Sequence, residues 1–351
     1  MPFSHHHQLP NQPDSPFFSI LLICLESICG KNRTGVLRMA PFSRLLPILL
    51  LWLLCPAGAP VRICAFNTQR FAQGKAEKAN VMDILVKILS RCDIAVLQEV
   101  MDAKGKAVPA LVDALNRFEG DSDAYSYLTS PLLGRSNYQE RYVFVYRNKK
   151  TRMLDSYKYE DNHPDRPDVF AREPFIVRFS LPTKELPELV LIPQHTVPSK
   201  AETEIDALYD VFLNVHAHWG IEDMIFLGDF NADCGYVAKK RWGNIRLRQK
   251  PGFHWLIGDK ADTTVRENTR CAYDRIVVHG ERCLDAVVPG SAQAFDFPKE
   301  FGLSEAEALE VSDHYPVEVE LYSSCWRLQP TNLGGLILLA LAIVSGTKYE
   351  I

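Results

Sequence analysis

The sequence predicts an α/β domain in which helices are layered over sheet, and three features carry that reading. Runs such as Ile94-Ala-Val-Leu97 and Met224-Ile-Phe-Leu227 are apolar at every position, as in strands buried on both faces. Segments whose apolar residues recur at helical spacing alternate with these runs. Polar side chains stand at the ends of several strands, the rim where α/β folds gather ligands.

Taken in order, Arg62–Phe66 reads as the first strand and runs into Asn67. Val81, Ile84, Leu85, Ile88 and Leu89 fit one helix face. Ile94–Leu97 is the next strand and leads into Gln98-Glu99. Tyr138 and Glu140 precede a strand at Tyr142–Tyr146. Val190–Ile192 is soon followed by His195. Ile205, Leu208, Phe212 and Val215 share a second helix face, with Ser199 and Glu202 as a capping box and Gly220 as the stop. Met224–Leu227 runs into Gly228-Asp-Phe-Asn231. Asp274 precedes Arg275–Val278, and Asp313-His314 precedes the last strand, Val317–Leu321.

The chain has 351 residues, 47% hydrophobic and 23% charged, which excludes a disordered or collagen-like polymer. The net charge of −4 argues against a histone-like polycation. A nucleic-acid enzyme remains compatible with it, because a local basic groove and metal ions suffice to hold phosphate. Nine cysteines are too few for a disulfide scaffold at this length.

The catalytic body is expected over residues 60–322. Residues 1–38 read as an upstream extension, and its His5-His6-His7 run as an unstructured tail rather than a metal site. Residues 39–59 have the layout of a signal peptide: Met39 and Arg44, the apolar Leu45–Leu54, then small residues up to Ala59. Residues 323–351 place Ser323-Ser324 and a polar spacer before the apolar Leu333–Val344, in the order of a lipid-anchor signal. The polar ending Gly346–Ile351 departs from that order, so a retained hydrophobic tail and a frayed secreted end stay open. Passage through the secretory pathway and the endoplasmic reticulum, to the cell surface or outside, makes disulfides available. Cys64 and Cys92 lie in apolar stretches and are expected to be buried thiols. Cys234 and Cys271 flank polar motifs and are the better pair for a bridge. The Asn-x-Thr sequon at Asn32 lies in the leader, so no N-glycan is expected on the mature chain.

Carboxylates and amides at strand ends suit Mg²⁺, a hard ion that takes oxygen ligands and keeps waters for a phosphate substrate. Zinc would want grouped His or Cys, and the body has neither HxxxH nor CxxC; His216-Ala-His218 reads as a solvated helix end. No Gly-rich phosphate loop and no Gly-x-Ser-x-Gly is present, against an NTPase or a serine hydrolase. Phosphodiester hydrolysis needs a water deprotonated, charge on phosphorus stabilised and the leaving oxygen protonated. His195 and His314 suit either proton step, with Glu140 and Asp274 as carboxylates that could orient them. Glu99 would stabilise charge through the metal, while Asn67 and Asn231 hold phosphate oxygens.

The segments Phe66-Asn67-Thr-Gln69, Gln98-Glu99-Val100, Gly228-Asp-Phe-Asn-Ala-Asp233, Tyr273-Asp-Arg275 and Ser312-Asp-His-Tyr-Pro316 resemble the deoxyribonuclease I family, in its order and near its spacing. Gly134–Tyr138, Glu140–Tyr142, Arg172-Glu-Pro174, Asp262-Thr-Thr264 and Phe295–Phe297 resemble its nuclease branch. Arg91–Ile94, Phe170–Phe175, Pro251–Trp255 and a cysteine-free Asp161–Asp168 loop resemble a member associated with the secretory pathway and membrane anchoring. The resemblance implies a four-layer α/β sandwich, two packed mixed sheets flanked by helices. It implies a deoxyribonuclease, an endonuclease that cleaves double-stranded DNA and leaves 5′-phosphate ends. Glu99, Asn67, Asp229 and Asn231 would form the metal and phosphate site. His195 with Glu140 and His314 with Asp274 would form two acid/base pairs, with Asp229 and Asp313 beside them. Cys234 and Cys271 match the family's main disulfide.

The same resemblance assigns DNA contacts to Arg135, Asn137, Tyr138, Arg172 and Tyr273. Such contacts read backbone and groove shape, so sequence preference should be weak. Met101 replaces a minor-groove arginine, which should lower affinity and soften its salt dependence. Asp262 and Thr264 match a structural Ca²⁺ loop, but Val265–Arg270 departs from it by an extra residue and two arginines. The family archetype binds actin; Thr129 and Phe175 replace its contacts here, so weak or absent actin binding is expected, in a monomer. Two readings compete: a phosphatase of the same superfamily acting on a lipid or inositol phosphate, and a non-catalytic membrane-displayed binding module. The first would not need the Gly134–Tyr138 loop. The second usually loses a catalytic residue, and none is missing here.

Overall fold

The computed structural model describes residues 59–323. The upstream extension, the signal peptide up to residue 58 and the tail beyond Ser323 lie outside the described residues. In chain order the elements are β1 Val61–Phe71, α1 Gln73–Ala76, α2 Ala79–Leu89, β2 Ile94–Val100, α3 Ala107–Glu119, β3 Tyr125–Thr129, β4 Arg141–Arg147, β5 Arg152–Lys158, β6 Phe175–Ser180 and β7 Glu188–Pro193. Then follow α4 Ala201–Trp219, β8 Met224–Asp229, α5 Arg246–Gln249, β9 Phe253–Trp255, β10 Asp274–His279, α6 Glu281–Ala286, β11 Gln293–Ala294, α7 Phe297–Phe301, α8 Glu305–Val311 and β12 Val317–Leu321. All seven strands expected from the sequence form, and both expected helices.

Two six-stranded mixed sheets result, ordered β11-β12-β1-β2-β4-β3 and β5-β6-β7-β8-β10-β9. The continuous apolar runs are explained by the two-residue alternation of strands. Ile63, Ala65, Ile94, Val96, Ile225 and Leu227 face the core between the sheets. Their neighbours Cys64, Phe66, Ala95 and Leu97 face an outer layer that includes Leu85, Leu111, Phe297 and Val311. On the other side Met224 and Phe226 meet Ile205, Leu208 and Val211 of α4. These central strands are therefore buried on both faces, and four layers follow.

The two parallel pairs, β1 with β2 and β7 with β8, place the site. Each joins through a helix, so their C-terminal ends point to one rim. Gln98 ties the halves together there: its Nε2 donates to the Gln194 carbonyl at 2.6 Å and its Oε1 accepts the Asp229 N–H at 2.8 Å. Gly228, at φ +126°, leaves room for this amide, because a Cβ would lie 2.3 Å from Gln98 Nε2.

Two expectations are corrected. Cys64 and Cys92 are not thiols; they form a disulfide with Cα atoms 6.1 Å apart. Apolar surroundings predict burial but not which two cysteines meet across β1 and the end of α2. The expected Cys234–Cys271 bridge is also present, and Cys283 is a free, buried cysteine. The Ser199–Glu202 capping box does not form. A 3₁₀ turn over Pro198–Lys200 precedes α4, and Glu202 pairs with Arg241 at 2.7 Å instead. Gly220 does end α4, in the left-handed conformation. The capping box of this fold is Ser304 with Glu307 on α8.

Closing a 28-residue separation in a buried layer should stabilise the fold. We expect the double variant Cys64→Ala/Cys92→Ala to lose roughly 2–4 kcal/mol of unfolding free energy, read from the urea midpoint. An unchanged midpoint would show that the layer holds without the bridge.

Candidate active site

Asn67 lies where β1 breaks register with β2 between Asn67 and Phe71. Gln69 and Arg70 adopt positive φ there, 46° and 59°. Lys75 of α1 fastens the irregularity by donating to the carbonyls of Thr68 and Gln69 at 2.9 and 2.8 Å. The Asn67 amide then faces the site. Its Nδ2 donates to Glu99 Oε1 and to Asp229 Oδ2, both at 3.1 Å. Glu99 stands at a matching break in β2 with φ 54°, a conformation that costs a non-glycine residue about 1 kcal/mol or more. Its Oε2 accepts the Tyr138 hydroxyl and the Arg70 N–H, each at 3.1 Å.

Two imidazoles converge on Asp229. His195 follows β7, with Nδ1 2.7 Å from Glu140 Oε1 and Nε2 3.5 Å from Asp229 Oδ2. His314 precedes β12, with Nδ1 2.8 Å from Asp274 Oδ2 and Nε2 3.7 Å from the same Asp229 oxygen. Each Nδ1 is taken by a carboxylate, which leaves each Nε2 facing the centre. Cross-strand register puts Asp274 opposite Asp229 in β10 and β8.

Charge in this buried setting is shared. Burial works against an imidazolium at His314, but Asp274 and Asp229 outweigh it and raise the group to about 10. His195 is likewise penalised by burial and raised on balance by Glu140 and Asp229. Burial pushes Asp229 up, and the two histidines with the Asn231 N–H and the Asn67 amide hold it below the usual carboxylate range. Asn231 accordingly serves as a tie: its N–H donates to Asp229 Oδ1 at 2.9 Å and its Nδ2 to the Thr196 carbonyl at 3.1 Å. Asp313 is half-buried beside His314, and its carbonyl accepts the Val265 N–H. Asp229, Asp274 and His314 offer ligand atoms within 4.8 Å of one another.

The residues expected to grip DNA divide. Asn137 and Tyr138 are exposed, and Tyr273 is half-buried with its ring 6.3 Å from that of His314. Tyr138 reaches Glu99 and Tyr273 lies beside His314, so these two stand at the site itself. Arg172 is buried instead: its Nε donates to the His195 carbonyl at 3.0 Å and lies 3.4 Å from Glu140 Oε1. Arg135 donates to the carbonyls of Asp168 and Phe170. Asp262 Oδ1 accepts both the N–H and the hydroxyl of Thr264. A cavity of about 540 Å³ beside them is also lined by Arg266, Glu267, Arg270, Asp296 and Tyr315.

Three supporting residues were not singled out from the sequence. Ser312 donates to the Asn67 carbonyl at 2.6 Å and accepts the His314 N–H at 3.0 Å. Thr263 accepts the N–H groups of Tyr273 and Asp274. Gln98 makes the inter-sheet tie described above. Ser312 lies inside the Ser-Asp-His segment, so its place was visible although its bond was not.

The sequence profile of the Endonuclease/Exonuclease/phosphatase family matches residues 64–314. Human Deoxyribonuclease-1-like 1 is 56% identical over 297 residues, 84% of this chain and 96% of the relative. Rat Deoxyribonuclease gamma is 47% identical over 285 residues, 81% and 92%. The fold is shared with an endonuclease/exonuclease/phosphatase structure from Bacteroides vulgatus, at 17% identity and TM-score 0.52 over 76% of this chain and all of that one. A family protein from Leptotrichia buccalis agrees at 16% and 0.52, over 74% and 99%. With its two-sheet sandwich and its paired histidine–carboxylate dyads, the chain belongs to the deoxyribonuclease I family within the endonuclease/exonuclease/phosphatase superfamily.

Proposed function

We propose that the chain is a divalent-metal-dependent endonuclease that hydrolyses phosphodiester bonds of double-stranded DNA with little sequence preference and leaves 5′-phosphates. The observation that carries this reading is the pair of dyads, His195–Glu140 and His314–Asp274, with both Nε2 atoms facing Asp229. One imidazole takes the proton of the attacking water, and the other supplies the proton that the leaving 3′-oxygen gains. Glu140 and Asp274 fix the ring orientations and favour the imidazolium that forms. Asp229 stabilises charge on either ring. The names of the curated relatives support DNA as substrate.

Glu99, Asn67, Asp229 and Asn231 would hold the metal. The carboxylates fit: Glu99 and Asp229 both accept from one Asn67 amide, so their oxygens converge, and such hard oxygens suit Mg²⁺, while Asn67 and Asn231 as placed present N–H groups that orient those carboxylates. A metal held there would neutralise the negative charge that develops on a phosphoryl oxygen. A structural Ca²⁺ at Asp262 and Thr264 fits poorly. Those two groups already bond each other, and Arg266 and Arg270 line the same cavity.

Asn137, Tyr138 and Tyr273 would contact the duplex directly, while Arg172 would act by holding His195. Two disulfides support passage through the secretory pathway. No described helix is long and apolar enough to cross a membrane. The tail would supply any membrane attachment. Phe175 is buried against Phe144 at the inter-sheet core, which supports weak actin binding, and the working form would be a monomer.

Purified protein with Mg²⁺ should nick supercoiled plasmid, stop in EDTA and resume when Mg²⁺ is restored. The nicks should be resealed by DNA ligase, as 5′-phosphate ends require. Nicking that persists in EDTA would overturn the metal dependence. A folded protein that never nicks would turn attention to a lipid or inositol phosphodiester.

A further inference from the structure

The segment that carries His195 is held by two backbone bonds, Gln194 N–H to the Leu227 carbonyl and Thr196 N–H to the Asp229 carbonyl, both at 3.1 Å, and by a set of side chains. The His195 N–H donates to the Tyr142 hydroxyl at 2.9 Å. Its carbonyl accepts from Arg172 Nε at 3.0 Å and from Gln194 Nε2 at 3.3 Å. The Thr196 hydroxyl donates to the Phe230 carbonyl, and the Thr196 carbonyl accepts from Asn231. A further holder, also outside the dyads, the metal set and the DNA rim, is charged. Glu204, on the first turn of α4, is 1% exposed. Its Oε2 accepts from Gln194 Nε2 at 3.0 Å and its Oε1 from the Val197 N–H at 3.2 Å.

We infer that Glu204 is a positioning residue for His195, acting through Gln194 and the Val197 peptide to set where the imidazole stands. This rests on the nuclease reading above. A carboxylate shielded from water is costly unless its oxygens are needed as acceptors. Here both are used, one on each side of His195 in the chain. Burial pushes the group up to about 7, against the Val197 N–H and the charges of Arg172, His195 and Arg135. Glutamine cannot replace it in full: its single oxygen accepts, while its amide presents donors to the donors of Gln194 and Val197. The ring of His195 is also held by Glu140, so the segment should loosen rather than collapse. A misplaced general acid or base lowers turnover and leaves substrate binding alone.

Two variants test this, Glu204→Gln and Gln194→Leu, the second leaving the charge in place. Each should lower kcat for plasmid nicking about tenfold, with KM changed less than about twofold. In a His195→Ala background, Glu204→Gln should cause no further loss of the residual rate. A general weakening of the fold would instead lower activity equally in both backgrounds. Amide exchange at His195 and Val197 should quicken selectively, with Val190–Ile192 of β7 unchanged. Wild-type activity in both variants overturns the inference, and so does an equal loss in the His195→Ala background. If the wild-type protein itself does not nick DNA, the nuclease reading falls. Amide exchange then decides the positioning role alone, and unchanged protection at His195 and Val197 overturns it.

Discussion

Replacing His195 or His314 by alanine is expected to lower kcat/KM for plasmid nicking by about 10²–10⁴-fold each, the usual contribution of a positioned acid or base. The rings are not spare copies. Each has its own buried carboxylate, and both reach the same Asp229 oxygen, at 3.5 and 3.7 Å. An in-line displacement needs two such groups, one for the attacking water and one for the leaving oxygen. Because both act in one transition state, the double variant should fall little below the worse single. A phosphodiester with a nitrophenolate leaving group separates the roles, since that group departs without a proton. The variant it rescues has lost the acid. Circular dichroism and melting of each variant must accompany the rates, because removing a histidine leaves Glu140 or Asp274 buried without its partner. If either folded variant kept near wild-type nicking, the two-dyad mechanism would fail.

Much of this site was legible in the sequence because strand ends carry it. Asn67, Glu99, His195, Asp229 and His314 each close or adjoin a run of apolar residues, and the layered fold brings such ends to one rim. The pairings needed more. Glu140 reaches His195 across 55 positions, and the family resemblance rather than any spacing proposed that partner. The family resemblance gives Arg172 a DNA contact, and the structure adds that it is buried, with its Nε donating to the His195 carbonyl. Sequence gives a side chain's chemistry, and only packing gives its direction. The strands β3, β5, β6, β9 and β11 were not anticipated. Arg152–Lys158, for example, is an edge strand with no buried residue, so its pattern lacks the continuous apolar run that marked the central strands. Cys64 and Cys92 failed in the opposite way. Both were correctly placed as buried, but the contact that joins them is set by where α2 ends over β1.

Asp229 carries the second large effect, on rate and on stability together. Asp229→Asn keeps the shape but removes the charge that both imidazoles face, along with one oxygen of the proposed metal set. Losing several kcal/mol of charge stabilisation corresponds to a fall in kcat on the order of 10²–10³-fold or more. The stability consequence has a definite pH window. Asp229 is held below its ordinary value, chiefly by His314 and His195 against the cost of burial. Its contribution is thus present above the unfolded value of about 3.9 and is lost as pH falls through the folded one. His314 is raised to about 10, in part by Asp229. That contribution is full below the unfolded histidine value of about 6.5 and is lost as pH rises through the folded one. Both statements describe one attraction, which exists only while carboxylate and imidazolium are both charged. Metal-free wild-type protein should therefore melt above Asp229→Asn at neutral pH, with the gap closing below about pH 4 and again as His314 discharges. A variant that melts as high as wild type at pH 7 would mean that the cost of burying the carboxylate exceeds what the two histidines return. Asp229 would then be a group the fold tolerates for catalysis alone.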